Sequence, residues 1–172
     1  MVASRLVALF AVSIFPFAAI AADAPPTAPN SNLPSLFIAG ESTAAKYDGP
    51  DQQGWAEPFA QYFDSAKINV VNRARGGRSS RTFITEGLWD QLVADLKAGD
   101  FVLIQFGHND AGALNEEPLG STRPLRARGT IPTLGDESQE IDNVLTKQHE
   151  VVHTFGWYLR KMIVDVRTRG AT

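Results

Sequence analysis

The sequence predicts an α/β domain in which a parallel sheet lies between two helical layers. Three observations carry that expectation. Short apolar runs alternate with amphipathic stretches of helical period. The segments between successive runs are long enough for crossover helices, which parallel strands require and a hairpin turn cannot replace. The composition, 44% hydrophobic and 20% charged, is that of a folded globular chain rather than a disordered one. No internal repeat is present.

The elements follow in order. Leu36-Phe37-Ile38-Ala39 is a short apolar strand that stops at Gly40. Residues 54–63 place Trp55, Phe59, Tyr62 and Phe63 at helical spacing, with Pro58 early enough that its missing N–H costs little. Ile68 to Asn72 is the second strand. Leu88 to Ala98 sets Trp89, Leu92, Val93 and Leu96 on one helix face, and Gly99 suits the stop. Phe101 to Phe106 is the third strand, apolar, β-branched and followed by Gly107. From Gly107 to about Asp142 the pattern is irregular, with three prolines and five glycines. A long irregular stretch directly after a buried strand is expected to be functional. A long helix from about Val144 to Arg169 closes the chain, its apolar stripe formed by Val152, Phe155, Leu159, Met162, Ile163 and Val166.

Of the 172 residues, 35–172 are expected to form this one domain. Residues 1–21 pair Arg5 with an apolar run and end in Ala19-Ile20-Ala21, the pattern of a secretory signal peptide. Residues 22–34 form a Pro-rich linker, four of the thirteen being proline. The expected location is therefore secreted or periplasmic, with no membrane association after cleavage. A formal net charge of −3 argues against a nucleic-acid partner. The absence of cysteine excludes disulfide scaffolds and cysteine-rich zinc modules.

Doubly wound sheets hold ligands at the carboxyl ends of their strands. After the first strand comes Gly40-Glu41-Ser42-Thr43, where a serine on a tight turn can expose its Oγ, or merely cap the turn. The second strand is followed by Arg73-Ala74-Arg75-Gly76-Gly77-Arg78-Ser79-Ser80-Arg81. Its paired glycines let a backbone N–H approach a phosphate or an oxyanion, or form a loop of solvated arginines. Gly107-His108-Asn109-Asp110 follows the third; an asparagine there can donate to developing negative charge or simply make a turn.

Together these blocks resemble the SGNH (GDSL-like) hydrolase family, within it the rhamnogalacturonan acetylesterase group. The residues that carry the resemblance are 38–47 (IAGESTAAKY), 54–55 (GW), 75–83 (RGGRSSRTF), 105–112 (QFGHNDAG) and 150–163 (EVVHTFGWYLRKMI). The resemblance implies a flavodoxin-like sheet of about five strands, of which three are recognisable here. It implies Ser42 as nucleophile and an oxyanion hole made of the Ser42 and Gly77 backbone N–H groups and the Asn109 amide. It also implies a monomer with no cofactor or metal, acting on an acetylated acidic polysaccharide of plant cell walls, acetylated rhamnogalacturonan in pectin. Arg75, Arg78 and Arg81 are the cations that could attract such a polymer. Two departures stand out. The family's aspartate before the serine is Glu41 here. Its Asp-x-x-His, which supplies the base, does not occur in the chain. The expectation is a chain carrying the N-terminal portion of the domain, and a carbohydrate-binding remnant without catalysis is the alternative.

His149-Glu150-Val151-Val152-His153 is a rival motif. On a helix the two histidines would share a face and could hold zinc, with Glu150 as base. The next ligand position is Leu159, and Asp165 is the only later acid. Two surface histidines are the plainer expectation. His108, beside Asn109, is not the base in the family pattern.

Overall fold

The structure, a computed structural model, describes residues 29–116 and 126–172. The signal peptide and most of the linker lie outside the described residues. The linker's last residues are tied to the domain: Asn30 N–H donates to Asn69 Oδ1 (2.9 Å) and Asn69 Nδ2 to Asn30 O (3.0 Å).

The expected sheet is present. β1 (Ser35–Gly40), β2 (Asn69–Asn72) and β3 (Phe101–Gln105) pair in parallel in the order β2-β1-β3. This is the flavodoxin-like order, with its topological switch between β1 and β3. β1 is buried along its whole length, as a central strand covered on both faces must be. Its alternate side chains feed two cores. Phe37 and Ala39 face Phe83, Trp89, Leu92, Leu96, Met162 and Val166; Ile38 faces Ala44, Ala56, Trp55 and Phe59. The outer edge of β3 meets the chain's last residue: Thr172 N–H donates to Asp100 O (2.9 Å) and Val102 N–H to Thr172 O (2.7 Å).

α1 (Ala56–Ala60) is shorter than the predicted helix, and edge-on contacts of Phe59 with Trp55 and Phe63 hold its aromatic side. Gly54, just before it, is where two backbones meet. A Cβ there would lie 2.2 Å from Ala45 O and 2.5 Å from Ala44 C, in the turn that carries Ser42. Gly54→Ala is therefore expected to destabilise by about 1–3 kcal/mol, the usual cost of overpacking. A urea melt within experimental error of the parent would refute this.

α3 (Leu88–Asp95) buries Trp89 and Leu92 as expected, though it ends before Gly99. Between Gly77 and α3 the structure adds an unexpected element. α2 (Ser80–Thr85) starts at Ser79, whose side chain accepts from Thr82 N–H (3.1 Å) while Thr82 Oγ1 accepts from Ser79 N–H (2.8 Å). This capping box satisfies two N-terminal N–H groups.

The largest correction concerns the C-terminal third. The irregular stretch ends in β4 (Ser138–Asp142), and the first part of the predicted long helix is β5 (His149–His153). The two pair antiparallel, with Asp142 opposite His149. Asn143 builds their turn, its Oδ1 accepting from Leu145 and Thr146 N–H. The helix proper is α4 (Phe155–Thr168), capped by the Thr154 side chain, which accepts from Trp157 N–H (3.0 Å). Val151 and Val152 are β-branched, and pairing with β4 rewards that preference.

Candidate active site

Ser42 sits in the first turn after β1. The turn closes where Ala44 and Ala45 N–H both donate to Glu41 O (3.0 Å each). Its carbonyl accepts from Tyr47 Oη–H (2.9 Å). Gly76 packs against it: a Cβ on Gly76 would lie 4.0 Å from Ser42 Cβ and 3.3 Å from Tyr47 Oη. Gly77 has φ +79°, a left-handed conformation that glycine adopts without strain.

Glu41 joins the first and third loops. It is buried, and Oε2 accepts from Asn109 N–H (3.0 Å) and Asn109 Nδ2 (2.7 Å). Oε1 accepts from His108 N–H (3.1 Å) and Gln105 Nε2 (3.2 Å). Asn109 Nδ2 also donates to Arg78 O (2.9 Å), which brings the second loop in. The strand ends therefore gather Ser42, Gly77 and Asn109 into one cluster. No acceptor among the described residues takes the backbone N–H of Ser42 or Gly77. Both hydrogens of the Asn109 amide, by contrast, are engaged.

Asp110 locks the second and third loops together. Its carboxylate accepts from Ser80 N–H (3.0 Å) and from the Ser80 hydroxyl, while its carbonyl accepts from Thr130 N–H (3.0 Å). Burial pushes its carboxyl above the usual aspartate range. The Ser80 hydrogen bonds oppose this shift and the Glu41 charge adds to it.

The arginines divide sharply. Arg81, expected as a solvated or polymer-facing cation, is fully buried. Its Nε and Nη2 each donate to a Glu150 carboxylate oxygen at 2.7 Å, and Nη1 donates to Leu114 O and Gly129 O at 2.8 Å. Arg78 pairs with Glu86, and Arg73 with Asp95. Arg75 is exposed, and its side chain has no partner among the described residues.

The rival motif dissolves. On a strand its two histidines stand four residues apart, about 13 Å along the chain. Glu150, its supposed base, is committed to Arg81 and to Asn143 Nδ2 (2.8 Å). His149 meets Asp142 and Glu140 at the surface, while His153 stacks on Trp157 with ring centroids 3.8 Å apart. Among the described residues no group of three His, Cys, Asp or Glu could hold a metal ion. Among the described residues no histidine ring hydrogen-bonds Ser42.

Sequence reasoning did not single out Tyr47, Gln105 or Arg128 as parts of the site. Gln105 Oε1 accepts from Thr43 Oγ1 (2.7 Å), and Arg128 Nη1 donates to Gly77 O (3.3 Å). Gln105 had a readable signal, because it is the last residue of a strand whose end bears chemistry. Tyr47 closes the block 38–47, five residues past Ser42, whereas Arg128 had no local signal, since only the fold brings it near.

No family model matches the chain. Curated relatives do. It is 33% identical over 143 residues to a rhamnogalacturonan acetylesterase of Emericella nidulans, which covers 83% of this chain and 51% of the relative. It is 38% identical over 135 residues to the rhamnogalacturonan acetylesterase RhgT of Bacillus subtilis, covering 72% and 56%. The chain thus spans about half the length of these relatives. Among solved structures, the crystal structure of YxiM from Bacillus subtilis matches with a TM-score of 0.56 at 22% identity, covering 81% of this chain and 31% of that one. This likeness supports the fold alone. The family resemblance read from the strand-end blocks is borne out by the curated relatives.

Proposed function

We propose that this homologue of the rhamnogalacturonan acetylesterases supplies the nucleophile and oxyanion-binding groups of a serine esterase that removes acetyl groups from rhamnogalacturonan. The observation behind this reading is the convergence of Ser42, Gly77 and Asn109 at three adjacent strand ends, with two backbone N–H groups left without acceptors among the described residues. In this mechanism Ser42 Oγ attacks the acetyl carbonyl and its proton passes to a base. The carbonyl oxygen takes up negative charge and accepts from the Ser42 and Gly77 N–H groups. The Asn109 amide joins them by turning one hydrogen from Arg78 O. Collapse of the tetrahedral intermediate expels the sugar oxygen, which takes a proton, and water then releases acetate from Ser42. Residues 1–21 support export, in keeping with a polymeric substrate. Among the described residues no helix is long and apolar enough to cross a membrane.

A second reading, polysaccharide binding without hydrolysis, has a specific observation in its favour: no base hydrogen-bonds Ser42 among the described residues. One experiment separates the two. Acetate release from acetylated rhamnogalacturonan is measured for the protein and for Ser42→Ala, with and without chelator. The esterase reading expects release that Ser42→Ala abolishes and chelator leaves alone. Binding without acetate release, equal in both proteins, selects the second reading. Release indifferent to Ser42→Ala overturns the esterase assignment.

A further inference from the structure

We propose that a notch beside Gly76 binds a uronate carboxylate of the polysaccharide through Lys46 and Arg75. The proposal rests on the acidic-polysaccharide reading above and adds the place where its charge is recognised.

The argument begins with elimination among the cations around the serine. Three of the four arginines in the loop after β2 are already committed, to Asp95, Glu86 and Glu150. Arg75 is not: its backbone N–H donates to Gly40 O (2.9 Å), which anchors the residue and leaves the guanidinium unpaired among the described residues. Lys46, four residues past Ser42, is likewise exposed with no side-chain partner among the described residues. These two cations come from different strand-end loops, yet they line one cavity of about 290 Å³ together with Gly76, Asn72 and Gln91.

The cavity's other polar groups fit an anionic sugar. Arg73 is neutralised by Asp95, and Asn72 is held by Ala44 O (2.9 Å) and Glu57 Oε1 (3.1 Å), so among the described residues that line the notch the cations without an ion-pair partner are Lys46 and Arg75. A guanidinium fork can take both carboxylate oxygens, while an ammonium adds a movable point charge. Gln91 offers an amide for a hydroxyl. The chain is net negative, so a polyanion needs such a local positive site to dock at all. The position also fits: Gly76 lines the notch and packs against Ser42. A carboxylate held there lies on the same stretch of polymer as the acetyl group presented to the serine.

A competing location lies across the glycine pair, where Arg126 and Arg128 line a cavity of about 430 Å³ with Gly77. Arg128 is less available, since Nη1 is bonded to Gly77 O and Nε is buried.

The test is made on Ser42→Ala, so that binding is read apart from turnover. Equilibrium binding of acetylated rhamnogalacturonan oligosaccharide is compared with that of its carboxyl-reduced counterpart at low and high salt. The acidic form is expected to bind about 10-fold tighter at low salt, a preference that salt weakens. Lys46→Gln/Arg75→Gln should bring the ratio to about one, and Lys46→Arg should preserve it. An unchanged ratio in the double variant overturns the proposal. So does a ratio lost instead in Arg126→Gln/Arg128→Gln, or equal weakening toward both oligosaccharides. Acetate release by the Ser42-containing protein is scored separately: its absence counts against the esterase reading, whereas the binding ratio alone decides the notch.

Discussion

Arg81→Met is expected to lower the melting temperature by roughly 10–15 °C, corresponding to about 3–5 kcal/mol. Arg81 is wholly buried and Glu150 partly so, with side-chain exposures of 0% and 16%. Removing the guanidinium strands the carboxylate with only Asn143 and leaves the Leu114 and Gly129 carbonyls without their donor. Three parts of the molecule, α2, β5 and the segment after β3, lose their common tie. Because whole domains are stable by only about 5–15 kcal/mol, this is a large fraction. Removing both charges should cost less than the sum of the single changes, since no carboxylate is then stranded. A fall of only a few degrees would refute the strut role.

The same pair sets an acid limit. Burial alone would raise the Glu150 carboxyl, but the Arg81 hydrogen bonds, followed by Asn143, hold it below its ordinary value of 4.5. A carboxyl depressed in the folded state binds its proton less readily there than in the unfolded chain. The stabilisation is therefore present above 4.5 and lost as pH falls through the folded value. The deficit of Arg81→Met should accordingly narrow on acidification through this window. A deficit independent of pH would contradict the linkage.

Glu41→Gln is expected to cost about 3 kcal/mol despite being isosteric. Each carboxylate oxygen accepts two hydrogen bonds, so whichever becomes an NH₂ group faces two donors. At least two charge-assisted bonds are lost at a buried position, each ordinarily contributing about 1.5–3 kcal/mol. With the new NH₂ at the Oε2 position Asn109 loses both of its bonds to this side chain, and with it at Oε1 His108 and Gln105 lose theirs. On the esterase reading proposed above, acetate release should fall through kcat rather than KM, as for loss of an oxyanion donor. A melt and kcat equal to the parent's would show that Glu41 does not brace the site.

Much of the site was legible because its signals are local. A serine, a glycine pair and an asparagine each follow an apolar run, and parallel strands bring their carboxyl ends together. The Ser79-x-x-Thr82 capping box was also local, but it ends in threonine rather than the Glu or Gln that marks the usual pattern, and α2 was missed. The helix read from Val144 onward failed for a different reason. Val152 fits the stripe of Phe155, Leu159, Met162 and Val166 by spacing alone, so the periodicity ran through the Thr154 cap into a strand. Only β4, paired residue by residue with β5, decides between helix and strand there.

By itself, then, the sequence determined the three strands of the parallel sheet and which residue types stand at their ends, because both depend on residues close together in the chain. Tertiary structure decided which charges are free. Arg75 and Arg81 sit in the same arginine-rich stretch and look alike in sequence. One remains exposed, while the other is buried against Glu150, 69 residues away. A charge is defined by its partner and its solvent, and the fold supplies both.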